Sequence, residues 1–247
     1  MERFFVPPSS IDLQTGSIMI SGNDVNHIRN VLRKRPGDEL WISDGQKAEY
    51  HCRLEEYQPG TVLLSILYAQ EPDYELPSKI TLYQALPKAD KMEWIIQKAV
   101  ELGAWDIIPV RTARCVMRLE GERADKKTSR WQQVSEAAAK QCRRLHVPQI
   151  GPVMSWKEAL EDGEKKDLLL IPYELSSDME RTRSILSNVS PGQTIGILIG
   201  PEGGFEKKEV DDAVKKGAVP ITLGHRILRT ETAGMALLAA LMFRLDS

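Results

Sequence analysis

Two loops hold the residues best suited to chemistry. The run TIGILIG (194–200) passes directly into GPEGGF (200–205), followed by a helix expected over 206–217. A strand, a glycine loop and a helix in that order bind ligands at the carboxyl ends of parallel strands. Three glycines in five residues let the backbone come close to a ligand. The loop does not fit a dinucleotide GxGxxG, because Pro201 and Glu202 occupy the wrong positions, and no Gly-Lys-Ser/Thr follows to make a phosphate loop. A tight turn that needs positive φ accounts for one or two of these glycines; GPEGG exceeds that need, and ligand binding is the expectation. The second loop, LGHRILRTETA (223–233), follows the run VPITLG (219–224) and precedes an apolar helix expected from about 232, so it too lies at a carboxyl strand end. Thr232, or Thr230 with the acid after it, can cap that helix. Arg226, Arg229 and Glu231 are charges that capping does not explain, while His225 is given no catalytic role, since a loop imidazole is more often a local hydrogen-bonding group.

A third set lies on helices. Rotation of about 100° per residue places Lys126, Arg130, Lys140 and Arg144 of a helix expected over 124–145 in one stripe about 80° wide, apart from an apolar face of Trp131, Val134, Ala138 and Leu145. On the helix expected over 88–102, Lys91 and Lys98 share a face with Trp94, whereas Met92, Ile95, Ile96, Ala99 and Leu102 point to a core. Basic stripes with an aromatic between them suit a nucleic-acid backbone. Solvated lysines beside a core helix explain most of the positions singly. The net charge of −2 divides into −5 over residues 1–75, +6 over 76–150 and −3 over 151–247, so the middle third is a basic island.

The elements that must position these loops alternate. From Lys79 onward the strands KITLYQA, WDIIPV (105–110), DLLLIP (167–172), TIGILIG and VPITLG are separated by helices, including one near 177–187, which predicts a mainly parallel sheet covered on both faces. Before that come short strands at 17–20, 39–43, 47–56 and 61–69, punctuated by Pro36-Gly37, Asp44-Gly45 and Pro59-Gly60, which predict a small β-barrel. One helix interrupts them, capped by Asn23 or Asp24 and carrying Val25, Ile28, Val31 and Leu32 at helical spacing. The acidic, proline-bearing EPDYELPS marks the boundary, giving domains at 1–72 and 79–247 joined by a linker at 73–78.

At 247 residues the chain can bury a core without staples. The apolar run from Ala233 to Phe243 is about half of what a membrane span needs, so no membrane association is expected. MERFFVPPSS shows no secretory signal, and a cytoplasmic location is expected. Three scattered cysteines and four histidines show neither a disulfide framework nor metal-ligand spacing, and no metal is expected. The apolar last helix fits a buried core or a subunit interface.

Taken together, RFFV (3–6), His27 with VLR (31–33), KADKMEWIIQKAVELG (88–103), RCV (114–116), EAAAKQCRR (136–144), IGPEGGF (199–205) and LGHRILRTETA resemble one family over essentially the whole chain. It is the bacterial methyltransferases that modify uracil 1498 of 16S ribosomal RNA at N3, in the SPOUT superfamily. The resemblance implies an α/β protein with an amino-terminal PUA-like RNA-binding barrel. Its carboxyl-terminal domain would thread the chain end through a deep trefoil knot to form an S-adenosylmethionine pocket. A homodimer with its site completed across the interface is implied as well, with 16S RNA of the small subunit as partner. Cys115 and Cys142 stand where the family commonly has Ser, and no covalent cysteine chemistry is expected.

By that resemblance the cofactor would lie against Ile199, Gly200, Glu202 and Gly203 and against Leu223, Gly224, Ile227, Leu228, Thr232 and Ala233. Uracil N3 is a poor nucleophile until its proton leaves, so a cation near O2 or O4 is expected to stabilise the developing anion. Arg229 is the first choice, Glu231 the base or the organiser of Arg229, Arg144 the second arginine, and Arg3 reaches in from the small domain. Arg3, His27, Arg29, Arg33, Lys88, Lys91, Lys98, Arg114 and Arg144 are expected to grip RNA, mostly through phosphates. A silent RNA-binding factor is the rival reading, and it has no need of so intact a pair of cofactor loops. An enzyme using another nucleotide cofactor would want a basic residue where Glu202 stands.

Overall fold

Ile18 and Ile20 alternate with Ser17, Met19 and Ser21, and that period of two makes a strand with one buried face in the first of two units. The computed structural model describes residues 3–72, 74–174, 176 and 178–246. Unit one is Met1–Glu75 with Ala139–Val147, and unit two is Leu76–Ala138 with Pro148–Ser247.

The strands of unit one are β1 (Arg3–Phe5), β2 (Ile11–Asp12), β3 (Ser17–Ser21), β4 (Glu39–Ser43), β5 (Glu49–Gln58) and β6 (Thr61–Gln70). They pair in the order β1-β4-β5-β6-β3-β2, an open path among the described residues, with β1 parallel to β4 and the other pairs antiparallel. Their inward residues, among them Phe4, Leu40, Ile42, Leu54, Val62 and Leu64, form one core with Ile28. The expected helix after β3 is shorter than its periodicity predicts. Helix α1 (Asn23–Asn26) has Gly22 as its N-cap at φ 78°, without a side-chain cap from Asn23 or Asp24. The chain then widens into a turn over His27–Val31 in which the Leu32 amide reaches back five residues to the His27 carbonyl.

Residues Ala139–Val147 pack with this unit, which a linear division at 73–78 does not contain. The reason is Glu75, whose carboxylate accepts from the Arg144 guanidinium and from the Leu145 and His146 amides. Asp73 of the expected linker and Ser177 at an expected helix start lie outside the described residues.

Unit two alternates as expected: β7 (Lys79–Ala85), α2 (Lys91–Glu101), β8 (Ala104–Arg111), α3 (Gly121–Cys142), β9 (Gln149–Ile150), β10 (Met154–Ser155), α4 (Trp156–Gly163), β11 (Leu168–Pro172), α5 (Met179–Ser187), β12 (Thr194–Ile199), α6 (Lys207–Lys215), β13 (Val219–Ile221) and α7 (Thr230–Leu245). The sheet runs β10-β8-β7-β12-β11-β13, with β9 beside β8, and its pairs are parallel. Its central strands are apolar almost throughout because both faces are covered, and β12 buries Ile195 to Ile199 without a break. Helix α2 starts at Lys91 rather than residue 88, since Ala89 takes φ 56°. Helix α3 stops at Cys142, where Arg143 turns to φ 65°, so Arg144 leaves the basic stripe that helical spacing predicts. Helix α7 buries Gly234, Leu237, Leu238, Leu241 and Leu245 as one stripe and leaves Phe243 81% exposed.

Candidate cofactor cleft and cationic surface

The parallel order puts the carboxyl ends of β7, β12, β11 and β13 side by side, with Ile199 of β12 opposite Gln84 of β7. Three of the loops that leave them, residues 173–174, 200–205 and 222–229, wall a cleft of about 600 Å³. Of the ten expected cofactor contacts, Ile199, Gly200, Glu202, Gly203, Leu223, Gly224, Ile227, Leu228 and Ala233 line it. Thr232 does not, because it falls on an exposed face of α7.

The glycine loop is shaped by its own packing. A Cβ on Gly200 would come within 3.2 Å of the Phe205 ring, and Gly204 holds φ 67°. The loop's far side is held by Arg114, whose guanidinium donates to the Gly203 carbonyl at 2.8 Å. Below it, Glu209 of α6 accepts from the Ala113 amide at 2.8 Å and from the Glu206 amide at 2.9 Å, closing a capping box at the helix start.

Neither threonine of the second loop caps α7. The N-cap is Arg229, and the buried Thr230 hydroxyl donates to the Gly200 carbonyl at 2.6 Å while accepting from the Gln84 side-chain amide at 2.9 Å. Arg229 lines the cleft, and its guanidinium has no ion pair or hydrogen bond among the described residues. Glu231 does not organise Arg229; it pairs with Lys91 at 3.3 Å. Lys91 also meets Glu202 at 3.1 Å, and Glu202 accepts the Lys88 amide. The hydrogen bond to Glu202 is the main cause that raises the Lys91 ammonium above its ordinary pKa. Burial opposes ionisation of Glu202, but its own amide, Lys91 and the Lys88 amide outweigh that and hold the carboxyl below the usual glutamate range.

The remaining expected cations divide between the units. In unit one, Arg3 is committed to Glu49 and to the Arg143 carbonyl, and Arg144 to Glu75. His27 stands edge-on to Phe4, Arg29 lies over the Tyr57 ring, and Arg33 is exposed. In unit two, Lys88 is exposed, Lys98 pairs with Glu101, and Lys91 and Arg114 serve the cleft. Sequence reasoning missed Gln84, Glu209 and the third wall at Tyr173 and Glu174. The first two had a signal: a glutamine near the carboxyl end of the strand KITLYQA, and a Glu three residues after Glu206 at a helix start.

A parallel sheet whose loops converge on one cleft, with a glycine loop lacking phosphate-binding residues, defines an α/β domain built for an organic cofactor. The chain belongs to the RNA methyltransferase family: residues 74–242 match its RNA methyltransferase domain and residues 20–67 its RNA methyltransferase PUA domain. It is 34% identical to the ribosomal RNA small subunit methyltransferase E of Bacillus subtilis, over all of this chain and 98% of that protein. The crystal structure of the Neisseria gonorrhoeae ribosomal RNA small subunit methyltransferase E bound to S-adenosyl methionine is 33% identical, with a TM-score of 0.85 over 98% of this chain and 97% of that one. A Legionella pneumophila methyltransferase in complex with the bound cofactor SAM is 30% identical, with a TM-score of 0.84 over 98% and 96% of the two chains.

Proposed function

We propose that this protein transfers a methyl group from S-adenosylmethionine to N3 of one uridine, position 1498, in 16S RNA of the small ribosomal subunit. The observation that carries the reading is the cleft between the two glycine-containing loops, with Arg229 at its wall unpaired among the described residues, in a chain alike over its whole length to proteins named for small-subunit RNA methylation. The residues fit the cofactor. The volume suits a nucleoside-sized molecule, a side chain at Gly200 would press on Phe205, and apolar Ile199, Leu223 and Leu228 line the cleft.

When bound, S-adenosylmethionine supplies an electrophilic methyl on a sulfonium with a neutral leaving group. The residues of this chain therefore do their work on the acceptor. Arg229 stabilises the uracil anion that forms as N3 gives its proton to solvent water, and Glu231, held by Lys91, fixes the first turn of α7. N3 lies on the Watson–Crick edge, so the target uridine is unpaired or flipped out. Residues 1–72 act as the RNA-binding module, closing as a barrel, and residues 79–247 as the transferase, with Arg29 and Arg33 of the first unit and Lys88 and Lys98 of the second contributing phosphate contacts. Support for a knotted chain end is the buried link from Thr230 to both Gly200 and Gln84. The exposed Phe243 of α7 supports a homodimer, and the reading places the protein in the cytoplasm with the ribosome.

The test is nucleoside mapping of small-subunit RNA from cells with and without the gene, with purified protein and S-adenosylmethionine added back. Loss and return of N3-methyluridine at that one position is expected, and Arg229→Ala should bind donor without restoring it. An unchanged modification overturns the target, and absence of donor binding overturns the reaction.

A further inference from the structure

Lys91 opens α2, a position where the helix macrodipole disfavours a cation. Its side chain is nevertheless held, by two carboxylates from different elements: Glu202 of the glycine loop at 3.1 Å and Glu231 in the first turn of α7, just after the second loop, at 3.3 Å. Lys91 alone of α2 lines the cleft. Glu202 is fixed a second time by the Lys88 amide, so the α2 entry, the glycine loop and α7 meet at one ammonium. We propose that Lys91 is a positioning residue that clamps the two cofactor loops together through Glu202 and Glu231, rather than a phosphate contact. The proposal rests on the S-adenosylmethionine reading above.

An isolated, partly exposed ion pair contributes little. This arrangement differs because one carboxylate is on the glycine loop and the other in the first turn of the helix that ends the second loop, two segments that must keep their distance for the cleft to hold its shape. Without the cation, two carboxylates that share one nitrogen's coordination sphere face each other and repel, and the natural relief is for the loops to part. An ammonium engaged on two sides by carboxylates is also a poor grip for a phosphate. The same contacts explain why Glu231 is not offered to Arg229.

The test is calorimetric binding of S-adenosylmethionine and its thioether product to the full-length protein, alongside steady-state kinetics with small subunits. Lys91→Met is expected to weaken donor binding about tenfold, with the larger kinetic change on KM for the donor and not on KM for RNA. Lys91→Arg should recover part of the loss. Lys91→Met with Glu231→Gln removes the repulsion and should return binding to within about threefold of the parent. Thermal melts check that each variant folds. Parent-like donor binding by Lys91→Met, a rise confined to KM for RNA, or no recovery in the double variant overturns the proposal. Failure of the unaltered protein to bind donor overturns the functional reading instead.

Discussion

The Thr230 hydroxyl donates to the Gly200 carbonyl at 2.6 Å, so the first residue of α7 is bonded to the loop that leaves β12. Gln84, next to last in β7, donates to the same hydroxyl. Replacing the hydroxyl by a methyl of the same shape takes the donor from a partly buried carbonyl and the acceptor from a buried amide hydrogen. Thr230→Val should therefore cost about 1–3 kcal/mol and weaken donor binding, whereas Thr230→Ser keeps the oxygen and stays close to the parent. Chemical denaturation and donor titration of both variants check this; equal behaviour would show that the link does not hold the loop.

The alternation of strands and helices from Lys79, and the pairing of both cofactor loops at carboxyl strand ends, were legible because period-two and period-3.6 patterns report burial directly. What the sequence hid were places where a local rule lost to tertiary bonding. Thr230 reads as a cap and instead bonds the loop that leaves β12. Arg144 lies in a stripe only if α3 runs to residue 145, and the left-handed turn at Arg143 ends that register. Lys91 and Arg114 read as surface cations because their partners, Glu202 and Gly203, are about ninety to more than a hundred residues away in sequence.

Arg114 holds the Gly203 carbonyl and packs its methylenes 3.4 Å from where a Gly203 Cβ would lie. Arg114→Ala should loosen the glycine loop and weaken donor binding severalfold, about 1 kcal/mol for a hydrogen bond to a charged group at a partly exposed site. A phosphate role predicts a different result: donor binding unchanged, and the dependence of RNA binding on log salt reduced by about one contact. Titrations of donor and of RNA across salt concentrations separate the two.

Acid should open the clamp. Glu202 has a folded pKa below its ordinary 4.5, so its contribution is present above that value and is lost as pH falls through the lower, folded one. Lys91 has a folded pKa above 10.5, so its contribution is present below that value and is lost only as pH rises through the higher one. Donor binding should thus be level on the Glu202–Lys91 account across neutral pH and fall in acid below about 4.5. Glu202→Gln should flatten the acid limb while binding more weakly near neutrality. An acid limb of parent steepness in that variant would assign the loss to other carboxylates.

Arg144 is 5% exposed, and its guanidinium meets Glu75 through Nε and Nη2. Breaking a buried pair from one side leaves an uncompensated charge, typically costing about 3–5 kcal/mol. Glu75 keeps the Leu145 and His146 amides at 3.0 Å each, which places Arg144→Met near the lower end. A loss of about 3 kcal/mol lowers the melting midpoint by roughly 6–12 °C, and the loss should appear without RNA or donor present. Arg144→Met/Glu75→Gln removes both charges while the glutamine carbonyl still accepts from the Leu145 and His146 amides, and it should regain much of the midpoint, since no uncompensated charge is left behind. A catalytic arginine behaves otherwise: the single variant melts like the parent and loses methylation, and the double variant does not restore methylation. Melting curves set beside methylation of small subunits by both variants distinguish an anchor for residues 139–147 from a group that acts on the uridine.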